Sequence, residues 1–324
     1  MGDPLTTKDR TMRSLRSLLL RVGVVLVAVL ALLLVESWKA AEGNGDKLTR
    51  PVAVSVTPYA QHDVTVDGMR LRYVEEGSGP ILVLIPGLTS RIEEYDGMVA
   101  DLRRDFRVLA LDFPGSGYSD KPVREYDVQF YVRTLDHFLD ALHVERAFLA
   151  GGSLGGNIVL RAGAADPHRY PRLVAWGSGG AWEPIPLGAW LARTFGGQTT
   201  FWPTVKIQSR YWYRKEFPRS ASCLDDTFAY YHEALSPGFI RMYWGLFADQ
   251  AGSSLFPLAP SISQPTLLLW GDHDEGVNMG EGERRLQSLM PHARLTVMKD
   301  CGHALATERP HETAAAVAAF LHEP

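Results

Sequence analysis

Ser153 lies in Gly151-Gly152-Ser153-Leu154-Gly155-Gly156, the one G-x-S-x-G stretch of this 324-residue chain. That spacing belongs to a serine raised on a sharp turn between a strand and a helix, with its Oγ clear of the sheet. Such a turn strains the serine backbone, and side chains two residues to either side would collide, which accounts for Gly151 and Gly155. A purely structural turn is the rival reading. Against it, an apolar run (147–150) leads directly in and a helical stretch (157–165) leads directly out.

A serine hydroxyl is a weak nucleophile at neutral pH and needs a base within hydrogen-bond reach. Of ten histidines, His303 in Asp300-Cys301-Gly302-His303 follows the last apolar run (295–298) and precedes a final helix expected over about 307–321. His137, His143, His168, His292 and His311 fall on helices or helix-end turns and are expected to face solvent; His62 is placed before the first strand and His232 in an insertion. The base in turn needs a carboxylate that sets its tautomer and steadies the imidazolium. Trp270-Gly271-Asp272-His273-Asp274, at the end of the run 266–270, offers Asp272 and Asp274, and for Asp272 a turn-capping role is the stronger reading. The competing loop, Gly177-Ser178-Gly179-Gly180, carries no acid.

These residues act together only if one set of elements brings their loops to one place. Val64-Thr65-Val66 and the stretch from Met69 to Tyr73 flank Asp67-Gly68, a strong two-residue hairpin signal. Short apolar runs at 81–85, 108–111, 147–150, 173–176, 266–270 and 295–298 then alternate with amphipathic stretches, in one of which Tyr131, Leu135, Phe138, Leu139 and Leu142 share a helical face. The expectation is an α/β fold, a mostly parallel sheet covered by helices on both faces. All strand-exit loops of such a sheet lie on one edge, where ligands bind. From about 180 to 260 the alternation stops, and this segment holds five of the eight tryptophans, Trp182, Trp190, Trp202, Trp212 and Trp244. It is read as a helical lid over the sheet. Its aromatics serve mainly as its own core, with a few of them toward substrate.

A net charge of −4 leaves no basic footprint for nucleic acid. Cys223 and Cys301 give no disulfide framework, and two free or buried thiols are the expected state. Neither a metal site nor a cofactor is expected: Asp272-His273-Asp274 lacks metal-ligand spacing and no HExxH occurs.

The first fifty residues differ from the rest. The run 22–35 is unbroken apolar sequence, extended by Leu18, Leu19 and Leu20 beyond Arg21. Eighteen helical residues span about 27 Å, close to a bilayer's hydrocarbon thickness. Lys8, Arg10, Arg13, Arg16 and Arg21 precede the run, so the positive-inside bias sets the N-terminus in the cytoplasm and the remainder outside. The expected organisation is a basic cytoplasmic tail (1–17), a transmembrane signal anchor (18–35), a linker (36–58) and a catalytic domain (59–324). A signal peptide cleaved near Val35-Glu36-Ser37 is the alternative, and export is common to both.

From about Val64 to Leu321 the chain resembles the α/β-hydrolases, in the lid-bearing branch that includes esterases, C–C bond hydrolases, haloalkane dehalogenases and epoxide hydrolases. The likeness rests on Ile85-Pro86-Gly87-Leu88, on Asp112-Phe113-Pro114-Gly115-Ser116-Gly117-Tyr118-Ser119, on the turn around Ser153, on the segment from Trp270 to Asp274 and on Gly302-His303. The resemblance implies Asp274 as the acid beside His303, and backbone N–H groups of Leu88 and Leu154 as the oxyanion hole. Two departures stand out: Pro86-Gly87 replaces the family's usual His-Gly, and no proline follows Asp274 within 275–278. Branch members that attack alkyl carbon carry aspartate at the elbow, so serine implies acyl chemistry. Hydrolysis of an apolar carboxylic ester through an acyl-enzyme is the first expectation. C–C bond hydrolysis or cofactor-free perhydrolysis on the same triad are the alternatives, and a membrane-tethered binding protein is the non-enzymatic one.

Overall fold

The computed structural model describes residues 54–212, 220–274 and 279–323, with Gly23 alone from the segment before them. The expected basic tail, the anchor apart from Gly23 and most of the linker lie outside the described residues, as do 275–278. No helix among the described residues is long and apolar enough to cross a membrane. Two compact units divide the chain. The larger takes 51–197 and 207–324; of the smaller, 198–206 is a stretch of helix.

The larger unit is built on one eight-stranded sheet: β1 (Gln61–Val66), β2 (Met69–Glu76), β3 (Ile81–Ile85), β4 (Arg107–Leu111), β5 (Phe148–Gly152), β6 (Leu173–Trp176), β7 (Thr266–Gly271) and β8 (Ala293–Met298). Their spatial order is β1-β2-β4-β3-β5-β6-β7-β8. Pairing is antiparallel for β1–β2 and β2–β4 and parallel from β4 to β8. The hairpin stands where expected: Val66 faces Met69, and Asp67 and Gly68 have φ of 50° and 75°, the left-handed pair that a tight hairpin turn requires. His62 lies inside β1 and not before it. Pairing with the long β2 carries the edge strand back to Gln61, which faces Val74, although the added residues are polar.

The helices are α1 (Asp96–Leu102), α2 (Val128–Ala141), α3 (Leu154–Ala165), α4 (Pro186–Phe195), α5 (Gln198–Trp212), α6 (Ser220–Ala234), α7 (Pro237–Gly252), α8 (Met279–Leu289), α9 (Leu305–Glu308) and α10 (Pro310–Leu321). Asp127 caps α2 by accepting the Phe130 N–H, and Tyr131, Leu135, Phe138 and Leu139 are buried at helical spacing. Across the sheet, Leu82, Leu84, Val108 and Ala110 pack with Met98 and Leu102 of α1 and with Val317 and Phe320 of α10. β3 to β6 are buried almost throughout, as a doubly covered sheet demands. The final helix is broken in two. Pro310 opens α10 and pushes Arg309 out of the helical region, to φ −134° and ψ 53°.

α4 to α7 all fall between β6 and β7, where the alternation stops in the sequence, and no strand occurs there among the described residues. The end of the expected linker lies against the domain: Thr57 Oγ1 donates to Asp96 at 2.6 Å, and Ser55 N–H donates to Asp226 of α6 at 2.7 Å. The sheet register sets the working edge. Ile85 pairs with Gly151, Gly152 with Trp176, Trp176 with Leu269 and Trp270 with Val297, so the loops leaving β3, β5, β6, β7 and β8 begin side by side.

Candidate active site

Ser153 leaves β5 with φ 56° and ψ −120°, a strained conformation for a residue with a Cβ, and α3 begins at Leu154. Its backbone is held on both sides: Ser153 N–H donates to Trp176 O at 2.9 Å, and Gly179 N–H donates to Ser153 O at 2.8 Å. A Cβ on Gly155 would lie 2.1 Å from Ile85 O, and one on Gly151 would lie 2.8 Å from the same oxygen. The turn therefore closes only with glycine there. α3 starts three residues earlier than the sequence expectation, because packing of Gly155 and Gly156 overrides their weak helix propensity.

Asp274 and His303 meet at the same edge. Asp274 Oδ2 is 2.8 Å from His303 Nδ1, and the side chains are 1% and 15% exposed. A carboxylate can only accept, so Nδ1 carries the hydrogen and Nε2 is left as the basic nitrogen. The two loops are zipped together, with Asp272 N–H donating to Met298 O and His273 N–H to Cys301 O, both at 3.0 Å. Asp272 Oδ1 accepts the Cys301 N–H at 3.3 Å, so Asp272 ties its loop to that of His303 instead of capping its own turn.

Three further residues shape this pair. Gly177, just past β6, has φ 49°, and a Cβ there would come within 3.0 Å of the His303 ring. Glu283 of α8, fully buried, accepts the Ser178 N–H at 2.6 Å. Glu308 of α9 accepts the Gly302 N–H at 2.6 Å. Burial pushes the Glu283 carboxyl up to about 7 and raises Glu308 as well. For His303, burial pulls the imidazole down, but the charge and hydrogen bond of Asp274, then Glu308 and Glu283, outweigh it and hold the pKa above its ordinary 6.5. Sequence reasoning missed both glutamates, since each reads as the solvated face of a helix. Gly177 stood in a run noted only for lacking an acid.

Ser153 and His303 line one cavity of about 70 Å³, together with Leu88, Ser90, Glu94 and Tyr231. Burial pushes Glu94 up to about 7. Leu154 is the first residue of α3, where N–H groups have no acceptor within the helix. From the insertion the cavity takes Tyr231 of α6. Trp182 and Trp244 instead donate to backbone oxygens of Gln250 and Gly197, and Trp190 is 55% exposed. His137, His143, His168, His292 and His311 are exposed, as expected. Cys223 and Cys301 form no disulfide with each other, and Cys301 Sγ lies 3.6 Å from Glu308.

Comparison with known proteins places this geometry. An uncharacterized protein of Mycobacterium tuberculosis (strain ATCC 25618 / H37Rv) is 34% identical over 138 residues, and the match takes 43% of this chain and only 40% of that protein's length. A 2-hydroxymuconate semialdehyde hydrolase of Pseudomonas sp. (strain CF600) is 27% identical over 280 residues, 82% of this chain and 95% of its own. Among solved structures, a bacterial membrane phospholipase A superposes with a TM-score of 0.65 at 28% identity, covering 94% of this chain and 97% of the other. Residues 82–316, from β3 to the penultimate turn of α10, match the Alpha/beta hydrolase family, and with its strained serine at the working edge of a mostly parallel sheet the chain belongs to that family.

Proposed function

We propose that this chain is a serine hydrolase of carboxylic esters, with Ser153 as nucleophile, His303 as general base and Asp274 as the acid that orients it. The carrying observation is that the strained Ser153 and the Asp274-held His303 open on one cavity. His303 Nε2 takes the Ser153 proton as Oγ attacks the acyl carbon. The oxyanion so formed is met by the N–H groups of Leu88 and Leu154. His303 then gives its proton to the departing alcohol, and a water, activated in the same way, frees the acid from the acyl-enzyme. Departure from the family's His-Gly at Pro86-Gly87 leaves this scheme intact, because the donor at Leu88 is backbone.

The substrate reading is an ester with an apolar chain, met at a membrane to which 18–35 tethers the chain, with the domain on the non-cytoplasmic side. Three features support it. Leu187, Trp190, Leu191 and Phe195 expose apolar side chains on one face of α4, the spacing of a helix that meets lipid. The basic residues before the apolar run supply the orientation. The similar phospholipase A is itself described as a membrane protein. The similarity to a 2-hydroxymuconate semialdehyde hydrolase favours C–C bond hydrolysis on the same residues as the second reading.

A fluorophosphonate probe tests the nucleophile. It should label the wild-type protein covalently and Ser153→Ala not at all; labelling of the variant at the wild-type rate would remove the assignment. A panel of p-nitrophenyl esters run beside a vinylogous diketone separates the ester reading from the C–C one.

A further inference from the structure

A carboxyl group facing a cavity needs a hydrogen-bond donor, because leaving it unanswered away from bulk water is costly. Glu94 is half-buried and faces such a cavity. It stands in the short 3-10 turn Ile92–Tyr95 that follows the Leu88 loop, and it lines the same cavity as Ser153 and His303. Its Oε2 accepts the Ser90 hydroxyl at 2.7 Å, while Oε1 has no partner among the described residues. Arg91, the cation acting on it, is bonded to Asp226 and Ser55 and not to Glu94.

The Glu94–Ser90 pair is close to the nucleophile. A Cβ on Gly87 would lie 3.2 Å from Ser90 Oγ and 3.5 Å from Ser153 Cβ. A group bound at the Glu94–Ser90 pair therefore shares one cavity with an acyl carbon at Ser153 Oγ. Thr307 lines the cavity as well, so its polar side chains other than Glu94 and His303 are neutral, hydroxyls and the Trp176 indole. An ammonium would have to lose its hydration opposite a carboxyl that burial already holds partly protonated near neutrality, a poor exchange. A hydroxyl donates to the carboxyl in either state.

We propose that Glu94 is a specificity residue that takes a hydrogen bond from a free hydroxyl of the substrate, so that the enzyme selects neutral partial esters of polyols and rejects anionic esters. This rests on the serine-hydrolase reading and deepens it. The apolar chain belongs to the acyl part and the hydroxyl to the alcohol. The anionic ester is rejected because a second carboxylate beside Glu94 would add like-charge repulsion in a small, poorly solvated space.

The test uses the full-length protein in detergent, with acid release followed by pH-stat on glycerol monobutyrate, propyl butyrate and monopropyl succinate. Active sites are counted by fluorophosphonate titration, so each rate refers to competent enzyme. Wild type should favour glycerol monobutyrate over propyl butyrate at least tenfold in kcat/KM, and Glu94→Leu should collapse that ratio about tenfold. Glu94→Gln should keep part of the ratio, since an amide oxygen still accepts, and at pH 8, where the wild-type carboxyl is mostly ionised, it should raise the rate on monopropyl succinate relative to propyl butyrate at least fivefold. Ratios within twofold of wild type in both variants, with labelling intact, overturn the role of Glu94 alone. Absence of labelling and of all ester hydrolysis in wild type overturns the serine-hydrolase reading, and this inference with it.

Discussion

Three carboxyl groups act on the imidazole of His303, and only Asp274 touches it among the described residues. Protonated imidazole cannot accept the serine proton. The pH profile of kcat/KM should therefore rise through an apparent pKa above 6.5, the direction in which these carboxyls hold His303. Glu283→Gln removes one negative neighbour, keeps an acceptor for the Ser178 N–H, and should move that midpoint to lower pH. Its effect on stability has the opposite pH trend. Glu283 titrates near 7 when folded and near 4.5 when unfolded, so the folded state binds more protons between these values and wild-type stability falls as pH rises through them. Relative to wild type, Glu283→Gln should gain on the order of 2 to 3 kcal/mol between pH 4.5 and 8, read from chemical denaturation at each pH. Asp274→Asn should lower kcat by roughly three orders of magnitude or more, since His303 loses its orienting anion, and Asp272→Asn far less. A reversal of the two effects would make Asp272 the acid.

At the scale of elements, the working edge depends on loops that support one another. The β6 exit loop touches Ser153 through Gly179, faces the His303–Asp274 pair through Gly177, and is anchored by Glu283 at Ser178. Gly177→Ala puts a methyl group against the imidazole and strains a left-handed backbone. We expect kcat to fall at least tenfold with a loss of about 1 to 2 kcal/mol in stability. The insertion is fastened in a comparable way. Arg91, 2% exposed, pairs with Asp226 of α6 and donates to Ser55 O at 2.7 Å. Asp226→Ala leaves that guanidinium buried with one partner fewer. Because Asp226 itself is 27% exposed, the expected cost is about 2 kcal/mol, less than for a wholly buried pair, seen as a lower Tm.

On the scale of the whole molecule, the anchor and the enzyme should be separable. Among the described residues no sheet strand precedes residue 61, and no proposed catalytic residue does, so deletion of residues 1–50 should give a soluble, folded enzyme with esterase activity comparable to the full-length protein in detergent. Full-length protein should stay in the membrane fraction after a high-salt wash, because the proposed attachment is hydrophobic; release by salt alone would remove the anchor reading. A mature N-terminus at Trp38 by mass spectrometry would point to a cleaved signal peptide. Deletion through residue 58 should be less benign, since it strips the Ser55 and Thr57 contacts from Arg91, Asp226 and Asp96.

Alternation of apolar runs with amphipathic stretches was enough to determine the strands of the sheet, the helices that follow β4 and β5, and the place of the insertion. Those signals are local and repeat with a fixed period along the chain. The turn at Ser153 was legible for a related reason: a strained elbow admits glycine at Gly151 and Gly155 and little else. The order of the strands, the break at Arg309 and the extension of β1 over His62 came from pairing and packing, which polarity along the chain does not encode. The surroundings of the site were hidden for the same reason. Glu283 lies 105 positions from the Ser178 N–H it accepts, and no period or spacing ties a helix-face glutamate to a loop that far away. Glu94 resembles any other charge in Ile92–Tyr95 until the fold closes a cavity beside it. Sequence alone determined which residues could do chemistry; tertiary structure decided which carboxyls are drawn out of water, and with that which of them act on the imidazole and which face the cavity.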